Sequence, residues 1–127
     1  MAGCTTILAV DDDEDVRALI RDVLSPAGFR VLEAESGEAA LHVLETGETV
    51  DLIVTDIVMP GINGMALARH ARRLRPGMRV LFASGYWSHI VTAPAPREFV
   101  HKPYRPGQLL ARVKRSLAEP AADQAPS

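Results

Sequence analysis

One stretch limits what this chain can fold into more than any other: Asp51 to Gly64, D-L-I-V-T-D-I-V-M-P-G-I-N-G. Leu52-Ile53-Val54 is a short apolar run bounded by turn signals, the pattern of a strand buried on both faces. A carboxylate, Asp56, follows it, and Pro60-Gly61 then turns the chain. In a parallel sheet Asp56 stands at the C-terminal tip of its strand, on the edge where open α/β sheets place their ligands. Taken singly, such an aspartate reads as well as a turn former or helix cap. The residues that arrive beside it decide the matter.

Around that strand the pattern alternates. Thr6 to Val10 is apolar and extended, and the chain then becomes abruptly acidic from Asp11 to Asp15. Asp13 or a neighbour caps a helix here, with acids suited to its first turn. Val16, Leu19, Ile20, Val23 and Leu24 give that helix an apolar face, and Ser25-Pro26-Ala27-Gly28 ends it. Arg30 to Ala34 is a second, weaker strand. Ser36 caps a helix that carries Leu41 and Leu44 inward, with Gly47 as its stop. After the third strand, Asn63 or Gly64 starts a helix with Met65, Ala68, Ala71 and Leu74 inward. Arg79 to Ala83 is a fourth strand ending at Ser84-Gly85. Tyr86 to Arg97 has no clear helical period and holds Pro94 and Pro96, so it reads mostly as loop, and as mobile between Tyr86 and Pro96. Glu98 to His101 is a short fifth strand, and a last helix begins near Pro106, with Leu110, Val113 and Leu117 inward. Strands alternating with helices imply an α/β fold with a parallel sheet covered on both faces by right-handed crossovers.

A chain of 127 residues suits one domain. The expected division is an N-terminal extension at 1–5, a folded domain at 6–118 and an Ala/Pro-rich, frayed tail at 119–127. A net charge of −2 gives no bulk attraction to nucleic acid or membrane. The lone Cys4 makes no internal disulfide, and neither a signal peptide nor a membrane span is visible, so a cytoplasmic protein is expected.

In that fold the strand tips deliver Asp11 and Asp12, Asp56, Ser84 and Lys102 to one edge. Converging carboxylates repel each other and need a cation. An oxygen-only site with few protein ligands suits Mg²⁺, which keeps waters and shares its sphere with phosphate oxygens. Three carboxylates give −3, while Mg²⁺ and Lys102 give +3, so the site is neutral and open to a phosphoryl group. Lys102 is one of only two lysines against twelve arginines; the other, Lys114, lies on the last helix as a solvated-face residue. At a strand tip beside proline, a lysine reaches an anion as a point charge.

Val10-Asp11-Asp12-Asp13, Thr55-Asp56-Ile57-Val58-Met59-Pro60-Gly61, Ala83-Ser84-Gly85 and His101-Lys102-Pro103-Tyr104 together resemble the four motifs of the receiver domain of two-component response regulators. Each is weak alone, but in this order they cover nearly the whole chain. The resemblance implies a doubly wound, five-stranded, flavodoxin-like sheet of order 2-1-3-4-5. It also implies that Asp56 accepts a phosphoryl group from a histidine kinase's phosphohistidine. Asp12 would ligate Mg²⁺ directly, Asp11 mainly through water, Asp56 with them, and Val58 through its backbone carbonyl. Lys102 would pair with the phosphoryl group, Ser84 would bond it on activation, and Phe99 would be the switch aromatic that moves with Ser84. Expected partners are a sensor histidine kinase or phosphotransfer protein and a downstream protein target.

The sequence departs from the common receiver pattern in places. Ser84 stands where Thr is more frequent, which keeps the hydroxyl. Only 18 positions separate Ser84 from Lys102, so the fourth helix of the family pattern is expected to be shortened or irregular. Phe82 to Trp87 is similar to a signature of some single-domain receivers, and Tyr86-Trp87 reads either as a partner-facing pair or as core. Val58 and Tyr86, bulky and largely apolar, occupy positions that tune self-dephosphorylation in the family and imply a long-lived phosphate.

Other readings fit less well. Asp11 to Asp15 is the reverse of the glycine-rich turn of a dinucleotide site. An EF-hand loop would need glycine where Val16 stands and Glu where Asp22 stands. An aspartyl-phosphate phosphatase or phosphotransferase matches Asp11-x-Asp13, but the chain lacks residues for a substrate-cap domain. An inert interaction module sits badly with the complete set of Asp11, Asp12, Asp56, Ser84 and Lys102. His42, His70, His89 and His101 show no metal spacing. Arg69, Arg72, Arg73, Arg75 and Arg79 lack the interleaved aromatics of a nucleic-acid surface. The expectation is therefore a standalone phosphoacceptor switch, monomeric or weakly dimeric, which acts on no outside substrate and makes no direct contact with nucleic acid or membrane.

Overall fold

The structure is a computed structural model that describes residues 5–57, 59–84, 99–101 and 106–118, with residues 84, 99–101 and 106 described by their backbone. Strand β1 (Thr6–Val10) leads to helix α1 (Glu14–Leu24), which closes in a 3₁₀ turn (Ser25–Ala27) before β2 (Arg30–Ala34) and α2 (Gly37–Glu45). Then come β3 (Leu52–Thr55), α3 (Gly64–Leu74), β4 (Arg79–Ser84), β5 (Phe99–His101) and α4 (Pro106–Ala118). The five strands form one parallel sheet in the order β2-β1-β3-β4-β5. The chain winds one way from β1 to β2 and the other way from β3 onward. The crevice where the winding reverses lies at the tips of β1 and β3.

Successive strand residues point to opposite faces, and this period of two builds two cores. Leu8, Val10, Ile53, Val80 and Phe82 pack with Ala40 and Leu44 of α2 and Leu67, Ala68 and Ala71 of α3. Ile7, Ala9, Leu52, Val54, Leu81 and Ala83 pack with Ile20 and Leu24 of α1 and Leu109 and Val113 of α4. β1 and β3 are buried along their whole length, whereas β2 is half exposed, as expected of an edge strand.

The helix starts lie where the caps indicate. Asp13 accepts the Asp15 N–H, Ser36 the Ala39 N–H and Asn63 the Ala66 N–H. Each satisfies an amide that the first helical turn leaves without an intrahelical acceptor. Asn63→Ala should therefore cost about 1 kcal/mol in urea unfolding.

Two residues assigned inward by periodicity point elsewhere: Leu19 is 38% and Leu74 46% exposed. Leu19 lies about 100° around the helix from Ile20, at the margin of the buried stripe. Leu74 is the last residue of α3, after the buried series Gly64, Leu67, Ala68 and Ala71. On α4 Leu109 and Val113 are both fully buried, while Leu110 and Leu117 are partly buried. The segment expected to replace a regular helix before β5, and its expected mobility, lie outside the described residues, as do Cys4 and the tail. Among the described residues no helix is long and apolar enough to cross a membrane.

Candidate functional site

The site is built by strand register. Val10 pairs with Thr55, so Asp11 and Asp56 are the first residues beyond two neighbouring strands at one level. The Asp56 N–H donates to the carbonyl of Val10 at 3.0 Å, which continues the ladder by one residue and fixes where Asp56 leaves it. On the other side of β1, the Asp11 N–H donates to the carbonyl of Ala34 at 3.2 Å. Asp12 follows into the β1–α1 turn.

These three side chains meet. Asp11 is buried, Asp56 half-buried and Asp12 exposed, and each offers a carboxylate oxygen within 4.8 Å of the others. Asp11 Oδ1 accepts the Asp13 N–H at 2.9 Å, and Asp56 Oδ1 accepts the Ile57 N–H at 2.8 Å. For two unit charges at such a spacing, an effective dielectric of 20 gives a repulsion of about 3–4 kcal/mol. The donors are all hard oxygens, the set that Mg²⁺ and Ca²⁺ select. An ion with oxygens at about 2.1 Å spans at most about 4.2 Å between two of them, so the cluster fits Mg²⁺ after a small contraction or with water in part of the sphere. Ca²⁺ asks for six to eight oxygens, and three carboxylates suit it less.

The loop after Asp56 is held at both ends. Ile57 and Met59, on either side of Val58, are buried in the α2–α3 core. The Gly64 N–H donates to the Ile57 carbonyl at 2.8 Å. Gly61 turns with φ +80°, and Glu38 Oε2 from α2 accepts the Ile62 N–H at 3.3 Å. The Thr55 hydroxyl, fully buried, donates to the Asp56 carbonyl at 2.8 Å.

Asp11, Asp12 and Asp56 thus stand together as expected from the sequence. Ser84 ends β4 and pairs with His101, the residue before Lys102, and Phe99 pairs with Phe82. Register therefore brings Ser84 and the β5 tip to the same edge. Val58 and Lys102 lie outside the described residues. The sequence reading missed Arg17, whose Nη1 donates to the Asp11 carbonyl at 2.7 Å, and Glu33, which holds Arg17 Nε at 3.2 Å. Its available signal was a lone arginine one turn into an acidic helix start, opposite a glutamate on the edge strand.

Comparison with known proteins agrees with this architecture. The family model of the response regulator receiver domain matches residues 7–114. The chain is 36% identical to the sensor kinase CckA of Brucella abortus over 122 residues, which is 92% of this chain and 13% of that protein. It is 30% identical to the response regulator receiver protein CpdR of Brucella abortus, covering 87% of this chain and 95% of that one. The crystal structure of the response regulator TrrA from Thermotoga maritima, in complex with Mg²⁺-BeF, superposes with a TM-score of 0.78 at 31% identity, covering 89% of this chain and 99% of that one. The chain thus spans nearly the whole of one curated relative and a small part of the other.

Proposed function

The chain belongs to the response regulator receiver family, and from that premise we propose that Asp56 is the phosphoacceptor of a two-component signalling switch. The observation that carries this assignment is the carboxylate of Asp56 at the tip of β3, within 4.8 Å of those of Asp11 and Asp12. In the proposed reaction an Asp56 oxygen attacks phosphorus in line. The new O–P bond forms as the P–N bond of a kinase or phosphotransfer-protein phosphohistidine breaks, and the imidazole leaves with the electron pair. Attack through Oδ2 keeps the Ile57 N–H bond on Oδ1 and so holds the nucleophile in one orientation.

Asp11, Asp12 and Asp56, with the backbone carbonyl of Val58, would hold Mg²⁺. The TrrA complex with Mg²⁺-BeF supports that choice of ion. When bound, Mg²⁺ neutralises the acids and stabilises charge on the transferring phosphoryl oxygens. Lys102 is assigned to the same oxygens as a point charge. Ser84 is the hydroxyl that moves in to bond the acyl phosphate, and Phe99 the aromatic that moves with it. The added charge of the phosphoryl group biases a two-state surface, which a downstream protein reads. The activity assigned is self-phosphorylation and self-dephosphorylation, in a folded unit at 6–118 acting in the cytoplasm.

The test is intact mass after incubation with Mg²⁺ and acetyl phosphate, with an EDTA arm. One added phosphoryl group that EDTA prevents is the expected result. No uptake, from acetyl phosphate or from a panel of kinases, would leave the chain an interaction module without phosphotransfer.

A further inference from the structure

We propose that Arg17, pinned by Glu33, is a positioning residue that holds the Asp11-Asp12 pair in its cation-binding geometry. The proposal rests on the reading of those two acids as Mg²⁺ ligands and adds a residue that the reading does not contain.

The peptides on both sides of Asp11 are tied to β2. On one side the Asp11 N–H donates to the Ala34 carbonyl at 3.2 Å. On the other, the Asp11 carbonyl accepts from Arg17 Nη1 at 2.7 Å, a short charge-assisted bond. Arg17 is itself fixed: its Nε lies 3.2 Å from Glu33 Oε1, and Glu33 Oε2 is held by Arg21 Nη1 at 2.9 Å. The Arg17 side chain is only 14% exposed, so this guanidinium is enclosed rather than waving in solvent. Glu33 directly precedes Ala34, so neighbouring residues of one strand anchor both bonds.

The consequence follows from planarity. The carbonyl of Asp11 and the N–H of Asp12 belong to one rigid peptide unit and point in opposite directions. Fixing the carbonyl on Arg17 fixes that plane, and with it the direction in which Asp12 leaves the backbone. The Asp13 N–H on Asp11 Oδ1 at 2.9 Å closes the same turn from inside. Arginine suits this task where lysine does not, because its planar fork engages Glu33 and the carbonyl at once.

Charge alone predicts the opposite effect. A guanidinium near three carboxylates competes with a cation, so a purely electrostatic Arg17 would weaken Mg²⁺ binding, and its removal would tighten it. The experiment is calorimetric Mg²⁺ titration of the parent, Arg17→Ala, Arg17→Lys, Glu33→Ala, the Arg17→Ala/Glu33→Ala pair and Asp12→Asn, beside urea unfolding of each. We expect Arg17→Ala to weaken Mg²⁺ about tenfold or more, the usual effect of losing a group that orients a ligand. Arg17→Lys should fail to restore it, Glu33→Ala should weaken it in the same direction, and the pair should be no worse than Arg17→Ala alone. If Arg17→Ala no longer unfolds cooperatively, Arg17→Lys and Glu33→Ala decide. Unchanged or tighter Mg²⁺ binding in the folded arginine variants overturns the proposal. A parent that binds no Mg²⁺, or an Asp12→Asn variant that binds it like the parent, overturns the metal-ligand reading and this proposal with it.

Discussion

Asp56→Asn is expected to fold normally and to take up no phosphate from acetyl phosphate or from a cognate kinase, a loss of at least about 10³-fold in rate. Asparagine is close in size and keeps an oxygen to accept the Ile57 N–H that Asp56 Oδ1 accepts at 2.8 Å, so the loop after β3 retains its anchor. What disappears is the nucleophilic charge, because an amide oxygen does not attack phosphorus at a useful rate. Stability should stay level or rise slightly, since one of three mutually repelling carboxylates is removed. Intact mass reads the first effect and urea unfolding the second. A phosphate that survived the substitution would move the acceptor to Asp11 or Asp13 and favour a phosphatase-like reading.

Gly64→Ala should destabilise the fold by about 3 kcal/mol, and the damage should reach the site. A Cβ at Gly64 would collide with the carbonyl oxygen of Asp56 and stand 3.0 Å from the Ile57 Cα, both backbone atoms with no rotamer to retreat into. Relief requires the start of α3 to move off β3's tip, which also strains the 2.8 Å bond from the Gly64 N–H to the Ile57 carbonyl. Gly107→Ala is the control. Among the described residues its Cβ, on α4, would meet nothing within 4 Å, so it should be neutral or stabilise by up to about 1 kcal/mol through helix propensity. Urea unfolding of the two variants together separates a packing effect from a generic glycine effect. A Gly64→Ala protein as stable as the parent would mean that α3 is not seated on the acceptor's backbone.

The sequence alone determined the elements, their order and the edge where chemistry gathers. Periods of 2 and 3.6 are local properties of a chain, and so are caps: Asp13, Ser36 and Asn63 act within three residues of themselves. Asp11, Asp12 and Asp56 were legible because parallel strands put every C-terminal tip on one side. Tertiary structure decided what depends on the rotation of one element against another. Leu19 and Leu74 have the right chemistry for a core, yet they lie at the margin or end of a stripe and stay exposed. The Arg17–Glu33 pair, 16 residues apart, and the bond from the Ile62 N–H to the Glu38 carboxylate, 24 apart, join groups whose meeting depends on where α1 and α2 settle on the sheet. No local pattern encodes such a meeting, because contact between distant side chains depends on the packing of whole elements, whereas periodicity and capping depend only on the backbone nearby.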